Sequence, residues 1–398
     1  MNKRFLYAFS GIMILLVSGM VYAWSVFSSS IAVEYPEWSR ASLSLVFTFV
    51  MLFFCIGGLV GGFIPSKVKP TWSILASAVF FLIGFQLSSR AQSPTALCFG
   101  FGFFCGIGAG LSYNGVISSI SKWFPDSQGL ISGVLLMGFG FSSFIFGKVF
   151  QSMSVSFSWR DSFQLLGFVS FVILAFFAFF IRRPETSVLV EKRSEGAREF
   201  APGEMVRTPA FYVFFIWAVL MSAAGLSLVS QASGIAAYSS NASPDTIATL
   251  VGMISISNGL GRVLFGMLYD RKGCNVVLQS IHVSMVASSI LLCLATRMQS
   301  IFLLVVGFIV GGLGYGGITC TNSAYVSSTF GMRNYPRNFP IMTMNLLFAS
   351  FGSTIAGALL DFTNSYYSIY LLIGGLTAAG FMLSFVIAKS RRNLLNGE

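Results

Sequence analysis

A single arginine of this sequence stands where charged side chains are rare. Arg262 lies in the apolar run 246–268, which contains no other Asp, Glu, Lys or Arg. An ionisable side chain inside such a run is costly and by default indicates function, and a guanidinium can hold a carboxylate through two parallel hydrogen bonds. Small residues beside it, Gly259 and Gly261, suit a close-packed helix that faces a cavity. We predict that Arg262 binds an organic anion. An alternative stays open at this point, in which the long stem carries the charge to the membrane surface.

The composition indicates which elements must carry this arginine. Only 24 Lys and Arg and 13 Asp and Glu occur among 398 residues (9%), whereas 55% of the residues are hydrophobic. A soluble domain carries about 25% charged residues. The net charge of +11 does not indicate nucleic-acid binding, because the basic residues stand in short pieces between long apolar runs. The composition excludes a soluble fold, a disordered chain and a secreted disulfide scaffold, and it predicts an all-α integral membrane protein.

Twelve apolar runs are long enough to cross a membrane, which takes about 20 residues in a helix. The predicted spans are 5–33, 41–64, 71–90, 95–121, 128–152, 161–181, 209–238, 246–268, 275–297, 299–328, 335–360 and 364–388. Eighteen of the 24 Lys and Arg fall on the side that holds both termini, and five fall on the opposite side. Because cytoplasmic loops carry the excess of Lys and Arg, we expect both termini in the cytoplasm and the protein in the plasma membrane, which is the inner membrane in a bacterium.

The sequence repeats itself once at an offset of 205 residues. The segment 61–67 after span 2 matches 266–273 after span 8, and the glycine cluster 106–110 in span 4 matches 311–315 in span 10. This pattern predicts a duplication, with an N-terminal six-helix half (1–181) and a C-terminal six-helix half (209–398) joined by a cytoplasmic loop (182–208). It resembles the parallel halves of the major facilitator transporters, which bind substrate between the halves near mid-membrane.

The loop after span 8 carries a second group of candidate functional residues. Its pattern Gly266-x-x-x-Asp270-Arg271-x-Gly273 resembles the signature of the major facilitator superfamily after its second and eighth helices. Asp270 can meet the positive N-terminus of a neighbouring helix, and Arg271 can pair across the loop, so we expect this group to act in gating. In the first half the positions of this Asp and Arg are taken by Pro65 and Ser66. The first half is therefore expected to lack the contacts expected of Asp270 and Arg271 in the second half.

Five short motifs extend the resemblance over nearly the whole chain. They are Trp123-Phe-Pro-Asp-x-x-Gly129, Gly203-Glu-Met-x-Arg-Thr-Pro-x-Phe211, Asn258-x-x-x-Arg262, Thr321-Asn-Ser and Arg337-Asn-Phe. Together they resemble the oxalate/formate antiporter family, which is similar to the monocarboxylate transporters. The resemblance implies a carboxylate site formed by an Arg on helix 8 and tyrosines on helices 1, 4 and 10, which correspond to Arg262, Tyr22, Tyr113 and Tyr315. Trp24 in span 1 is a further candidate for the wall of the site.

Three positions depart from the pattern that the resemblance implies. Where the family's oxalate exchanger has a Lys on helix 11, this chain has Leu346 with Asn345 beside it, and Gly311 replaces a Trp. One cation would then face a dianion, which costs on the order of several kcal/mol, so a monocarboxylate in a site enlarged at Gly311 is favoured over oxalate. Proton-linked carriers have an Asp four residues before the Arg, and this chain has Asn258 there. An uncoupled exchanger or uniporter is therefore favoured.

These observations predict a secondary-active transporter of small organic anions that works by alternating access, and not an enzyme. We expect a monomer in the lipid bilayer, with a small carboxylate as its partner and with no cofactor, metal or nucleic acid. Two alternatives remain. One is a proton-coupled monocarboxylate symporter, in which water, the substrate or His282 carries the proton. The other is a multidrug or cation exporter on the same fold, which would need a carboxylate in its cavity.

Overall fold

The computed structural model describes residues 3–38, 40–64, 68–125, 127–154, 157–184, 199–240 and 244–396, and the regular structure within these ranges is all helical. The α-helices are α1 Lys3–Ser18, α2 Trp24–Glu34, α3 Arg40–Phe63, α4 Pro70–Ser89, α5 Pro94–Leu97, α6 Gly106–Ile120, α7 Gln128–Ser154, α8 Trp159–Ala178, α9 Pro202–Met205, α10 Pro209–Ser239, α11 Pro244–Met298, α12 Ile301–Phe330, α13 Tyr335–Thr343, α14 Asn345–Ala349, α15 Phe351–Thr363 and α16 Tyr367–Asn396. The predicted all-α fold is confirmed.

Hydroxyl side chains cap the N-termini of several of the long helices. The Ser158 hydroxyl accepts a hydrogen bond from the Asp161 amide (3.1 Å) at the start of α8, and Thr208 accepts one from Phe211 (3.2 Å) at the start of α10. Such caps satisfy backbone N–H groups that have no partner within the helix. The apolar runs therefore begin as helices where the local sequence supplies a cap.

Eleven helices of the described chain are long and apolar enough to cross a membrane, and one of them, Thr249–Met298, has 50 residues. At about 1.5 Å per residue it would measure about 75 Å, more than twice the roughly 30 Å of a hydrocarbon core. The helix breaks at Gly273, which has φ 79° and ψ 179°, a conformation that glycine adopts without a steric penalty. It therefore contains the predicted spans 246–268 and 275–297, in agreement with the predicted twelve crossings.

Three of the predicted spans are not regular α-helices. Span 1 passes through a 3₁₀ turn at Gly19–Ala23, which includes Tyr22, and span 4 contains a π-helical stretch at Cys98–Cys105. Span 11 is divided into α13, α14 and α15, with Pro340 inside α13. Apolar patterning does not report such irregularities. They matter because 3₁₀ and π segments inside long helices are often found at functional sites.

The chain divides into two compact units. The first comprises Met1–Pro125, Gly138–Gly196 and Tyr335–Ile341, and the second comprises Asp126–Met137, Ala197–Asn334 and Met342–Glu398. The second unit thus includes the start of α7, and the first includes the start of α13. The predicted halves 1–181 and 209–398 remain a prediction, and residues 185–198 of the predicted loop 182–208 lie outside the described residues.

Each unit contains a pair of helices that pack at a distance only glycine allows. In the first unit, a Cβ atom on Gly110 of α6 would collide with the carbonyl oxygen of Phe54 in α3. In the second unit, a Cβ atom on Gly316 of α12 would collide with the carbonyl oxygen of Asn258 in α11. These two pairs carry the repeated glycine motifs of the sequence, so the repeat corresponds to the same kind of helix contact in both units.

Candidate functional site

Arg262 lies in α11, within the second unit, and only 7% of its surface is exposed. Its backbone is enclosed from two sides by other helices of that unit. A Cβ atom on Gly133 of α7 would collide with the Arg262 carbonyl oxygen, and one on Gly316 of α12 would approach its amide nitrogen to 3.0 Å. An arginine that carried its charge to the membrane surface would be exposed, so this burial disagrees with the snorkelling alternative.

The guanidinium of Arg262 is held by two acceptors that carry no charge. Nε donates to Oδ1 of Asn258 (3.0 Å), and Nη1 donates to the carbonyl oxygen of Leu136 in α7 (2.7 Å). Among the described residues the one ion pair links Arg160 to Glu34 (3.5 Å), so no described carboxylate pairs with Arg262. A guanidinium has five N–H groups, and these two bonds leave three of them. A buried cation with donors in reserve is chemically suited to an anion.

Of the three tyrosines predicted for the site, Tyr315 of α12 is the one that lies in the same compact unit as Arg262. Its side chain is 4% exposed, and its hydroxyl makes no hydrogen bond to any described residue. The ring lies against Gly225 of α10, where an added Cβ atom would collide with it. Gly225 therefore sets the position of the ring, and the hydroxyl is chemically available to a ligand.

Asn345 and Leu346 of α14 also belong to the second unit. Unlike the Tyr315 hydroxyl, the Asn345 side chain is bonded to other helices. Asn345 is fully buried, and its amide nitrogen donates to the Ala218 carbonyl and to the Ser222 hydroxyl of α10, each at 3.1 Å. Its Oδ1 accepts from Asn322 of α12 (3.3 Å). Asn345 therefore joins three helices and has few groups left for a substrate. Leu346 is buried as well, with 6% exposure.

The expectation that Gly311 enlarges the site stays a prediction, and in this structure side chains of two other helices lie beside Gly311. A Cβ atom on Gly311 would collide with the Ser288 hydroxyl of α11 and lie 2.5 Å from Cδ2 of Leu228 in α10. The space that a larger side chain would take is thus filled by neighbouring helices. Gly311 allows close helix packing, which is the ordinary role of glycine in membrane helices.

The remaining predicted residues, Tyr22, Trp24 and Tyr113, lie in the first unit. The Tyr22 hydroxyl is 3.7 Å from Sδ of Met51, and the Trp24 indole donates to the Leu43 carbonyl (2.8 Å). Tyr113 is 7% exposed, and its ring packs among three phenylalanines, Phe54, Phe139 and Phe339, at centroid distances of 5.1, 5.3 and 5.8 Å. Trp24 is therefore a buried element of its own unit. A role for these three residues in binding stays a prediction.

Asp270, near the break in α11, meets the start of α7. Its Oδ1 accepts from the Gly129 amide (2.9 Å) and its Oδ2 from the Leu130 amide (2.7 Å). These amides belong to the first turn of α7, where a carboxylate is favoured by the helix dipole. Glycines make the approach possible, since a Cβ atom on Gly266 would collide with the Gly129 carbonyl oxygen. This contact is the one expected of the loop motif, and its role in gating stays a prediction.

The other members of the loop motif have different surroundings. Gly273 supplies the positive φ of the helix break and has open space beside it. Arg271 is exposed, and no ion pair with it occurs among the described residues. The first-half positions Pro65 and Ser66, with Lys67, lie outside the described residues. In the described ranges, no group of three or more His, Cys, Asp or Glu is arranged to hold a metal ion.

Sequence reasoning missed the part of α7 that surrounds Arg262. The Leu136 carbonyl binds the guanidinium, and Gly129 and Gly133 provide the close approach to α11. A sequence signal existed, because two glycines four residues apart are typical of a close helix contact in membranes. A further polar contact joins Ser323 of α12 to Ser132 of α7 (2.8 Å). No local pattern announced the Leu136 carbonyl, because every residue has one.

The described fold is that of a multi-pass membrane protein with a polar site among apolar helices. Comparison with known proteins identifies the family of this membrane protein. The chain belongs to the Major Facilitator Superfamily, whose family model matches residues 6–337 and 217–396. It is therefore a transporter of that superfamily.

Individual relatives are distant but cover most of the chain. The oxalate:formate antiporter of Oxalobacter formigenes is 23% identical to it, over 98% of this chain and 93% of that protein. Monocarboxylate transporter 13 of Rattus norvegicus is 23% identical, over 92% of this chain and 84% of that protein. The resemblance inferred from the sequence motifs is thus confirmed.

A solved structure gives the same result for the fold. The proton:xylose symporter XylE bound to 6-bromo-6-deoxy-D-glucose superimposes with a TM-score of 0.69 at 13% identity, covering 96% of this chain and 95% of that one. At this identity the likeness concerns the fold alone. The predicted major facilitator fold is confirmed.

Proposed function

We propose that this protein exchanges or uniports a small monocarboxylate across the membrane, with Arg262 as the residue that binds the carboxylate. The observation that carries the proposal is the state of that side chain: 7% exposed, held by an amide and a backbone carbonyl, and without an ion pair among the described residues. A buried charge without a counter-charge is costly. A bound carboxylate would lower that cost, so the free energy of the site favours an anion over a cation.

Several observations support a monocarboxylate over oxalate. Arg262 is the one Asp, Glu, Lys or Arg that is buried among the residues with described burial, and Leu346 is apolar and buried. A dianion would place its second carboxylate without a cation in a low-dielectric site. The relatives named for oxalate and formate exchange and for monocarboxylate transport fit a carboxylate substrate in general. We therefore assign the class of monocarboxylates.

The same surroundings favour transport without a coupled proton. Asn258, which binds Nε of Arg262 (3.0 Å), cannot take up a proton as a carboxylate would. His282 accepts a hydrogen bond at Nε2 from the Trp217 indole (2.9 Å) and is buried. In the proposed cycle the carboxylate neutralises Arg262 and lowers the barrier to occluding the site, whereas the unneutralised cation resists occlusion. Such a cycle favours exchange, with the halves 1–181 and 209–398 rocking in alternating access.

Location and assembly belong to the same proposal. The excess of Lys and Arg on one side of the twelve predicted spans supports a cytoplasmic position for both termini. The protein would then act as a monomer in the plasma membrane, the inner membrane of a bacterium. Proteolysis of right-side-out and inverted vesicles carrying a C-terminal tag would test the orientation, since cleavage of the tag only in right-side-out vesicles would contradict it.

Counterflow into proteoliposomes is the direct test of the function. Vesicles loaded with unlabelled formate, acetate, lactate or pyruvate are expected to accumulate the same labelled acid, and oxalate is expected to be a poor substrate. A protonophore should leave the exchange rate unchanged. Protonophore-sensitive uptake driven by an imposed pH gradient would support the proton symporter instead, and accumulation of a lipophilic cation without that of any carboxylate would support the exporter.

The Tyr315 hydroxyl offers a sharper prediction. Tyr315→Phe is expected to raise the KM for the carboxylate about tenfold or more, because one hydrogen bond to a charged group is worth about 1.5–3 kcal/mol and each 1.4 kcal/mol is about tenfold. Its effect on thermal stability should be small, since the hydroxyl has no partner among the described residues. Tyr325→Phe is the matched control: that hydroxyl donates to the Ala210 carbonyl (3.2 Å). The control should lower the apparent Tm and leave KM unchanged. An unchanged KM in Tyr315→Phe would remove Tyr315 from the site.

Leu346 gives a prediction about specificity. Leu346→Lys is expected to raise dicarboxylate uptake relative to monocarboxylate uptake about tenfold, which corresponds to about 1.4 kcal/mol, because a second cation can pair with the second carboxylate. Leu346→Met, which keeps the volume and adds no charge, is the control and should leave the ratio as it is. The same ratio in the Lys variant as in the Met variant would exclude Leu346 from the substrate site.

A further inference from the structure

The end of the central loop is fixed to the loop between α12 and α13 by a carboxylate. Oε1 of Glu199 accepts from the Met332 amide (3.1 Å), and Oε2 accepts from the Arg333 amide (3.0 Å). The backbone before these amides is set by Gly331, whose φ is +85° and where a Cβ atom would collide with the Glu199 carboxylate. Successive backbone N–H groups turned to one point form a concavity that binds anions. Here the anion is a side chain of the protein itself.

The residues next to Glu199 strengthen this attachment. The Phe200 amide donates to the Phe330 carbonyl (3.1 Å), and the Asn334 side-chain amide donates to the Phe200 carbonyl (3.1 Å). The ring of Phe200 is 3% exposed and packs edge-on against Phe330 at 5.6 Å. The carboxylate is thus held in place by backbone pairing and a buried ring, and it is no loosely placed surface charge.

Glu199 makes the same kind of contact as Asp270. Each carboxylate accepts two consecutive backbone amides, Asp270 from residues 129 and 130, and Glu199 from residues 332 and 333. Both contacts lie within the second compact unit, near two of the five points where the chain passes from one unit to the other, 125/126 and 334/335. The repeat offset of 205 residues relates position 129 to 334 and Asp270 to Pro65, which has no carboxylate. The first repeat therefore lacks the acid that the second repeat has.

We infer that Glu199 supplies from the central loop the carboxylate that the first repeat lacks, so that the end of this loop is a working part of the transport cycle. Glu199 and Asp270 form a pair of latches, Asp270 at the start of α7 and Glu199 at the loop before α13. Each stabilises the conformation described here by binding backbone amides in charge-assisted hydrogen bonds, and each must release for the cycle to proceed. The inference concerns the conformational cycle and does not depend on which carboxylate is transported.

The test compares Glu199→Ala and Glu199→Gln with Glu204→Ala. Glu204 is the matched control because its carboxylate lies in the same predicted loop but, among the described residues, accepts only from the nearby Ala201 amide (2.7 Å). Hydrogen exchange of the purified full-length protein in nanodiscs would be followed on a peptide covering 330–334. We expect exchange at least about tenfold faster in Glu199→Ala, an intermediate change in Glu199→Gln, which keeps one acceptor oxygen, and none in Glu204→Ala.

Transport distinguishes a latch from a merely structural contact. If hydrogen exchange outside 330–334 is unchanged, Glu199→Ala is expected to change the maximal counterflow rate at least about threefold, with little change in KM. Asp270→Asn should have the same effect. Unchanged hydrogen exchange at 330–334 in Glu199→Ala would contradict the proposed contact. Faster hydrogen exchange with an unchanged transport rate would contradict the role of Glu199 as a latch. If no carboxylate is transported, the proposed function is wrong, but the hydrogen-exchange experiment still tests whether Glu199 binds the amides of Met332 and Arg333. In that case cysteine accessibility at position 333 in Glu199→Ala replaces the transport rate, and unchanged accessibility would overturn the latch.

Discussion

Arg262→Gln is expected to lower carboxylate counterflow about 100-fold or more, because removing one partner of a buried charge pair costs about 2–5 kcal/mol, and each 1.4 kcal/mol is about tenfold. The glutamine can still bond to Asn258 or to the Leu136 carbonyl, so the protein should fold. Arg262→Lys keeps the charge but loses the planar fork that matches a carboxylate. It should retain more transport than Arg262→Gln, with a higher KM.

The control for these variants is Arg392→Gln. Arg392 is an exposed arginine of α16, outside the site, and its replacement should leave transport as in the native protein. Apparent Tm values of all three variants, measured in the same detergent, separate folding from function. Native transport rates in Arg262→Gln would reject the assignment of this residue, and with it the proposed function.

The second large effect is expected from one added methyl group. Gly316→Ala would place a Cβ atom against the Asn258 carbonyl oxygen and at 3.0 Å from the Arg262 amide nitrogen. Because both neighbours are backbone atoms, α11 and α12 must separate, and overpacking of this kind costs about 1–3 kcal/mol. Moving α11 away from α12 would displace both Asn258 and Arg262. We expect a lower apparent Tm and at least about a tenfold loss of transport.

Gly375→Ala is the matched control for this change. Gly375 lies in the interior of α16, and an added Cβ atom there would meet nothing within 4 Å. Alanine is favoured over glycine in a helix interior by about 0.8–1.0 kcal/mol, so this variant should be as stable as the native protein or slightly more stable. If Gly316→Ala behaves like Gly375→Ala in both Tm and transport, close packing of α11 on α12 is not what positions Arg262.

Residues that the sequence singled out met different fates in the structure. Arg262 could be singled out because a charge within an apolar run is costly without an internal partner or a ligand, whereas Tyr315 was singled out by the family resemblance, and their role in binding stays a prediction. Asp270 could be predicted because its loop motif is specific. For Gly311, the sequence says that the side chain is small, but the neighbouring helices decide whether the space beside it is open or filled.

Other contacts could not have been predicted from the sequence. The Leu136 carbonyl is 126 residues away from the guanidinium that it binds, and Glu199 is 133 residues away from the Met332 amide. Backbone groups are the same at every residue, so no side-chain pattern marks those that will bind a distant group. The 3₁₀ turn at Tyr22 and the π-helical stretch at Cys98–Cys105 were equally hidden.

The sequence by itself determined the class of this protein, the apolar helices that are long enough to cross a membrane and the presence of a buried cation. The physical reason is the solvent: hydrocarbon leaves backbone groups no partner but each other, so every apolar run of about 20 residues must be a helix. Only the tertiary structure decided which groups surround that cation and which carboxylates fix the loops. Those contacts depend on the rotation and spacing of helices, which many weak packing contacts set together and which no local stretch of sequence encodes.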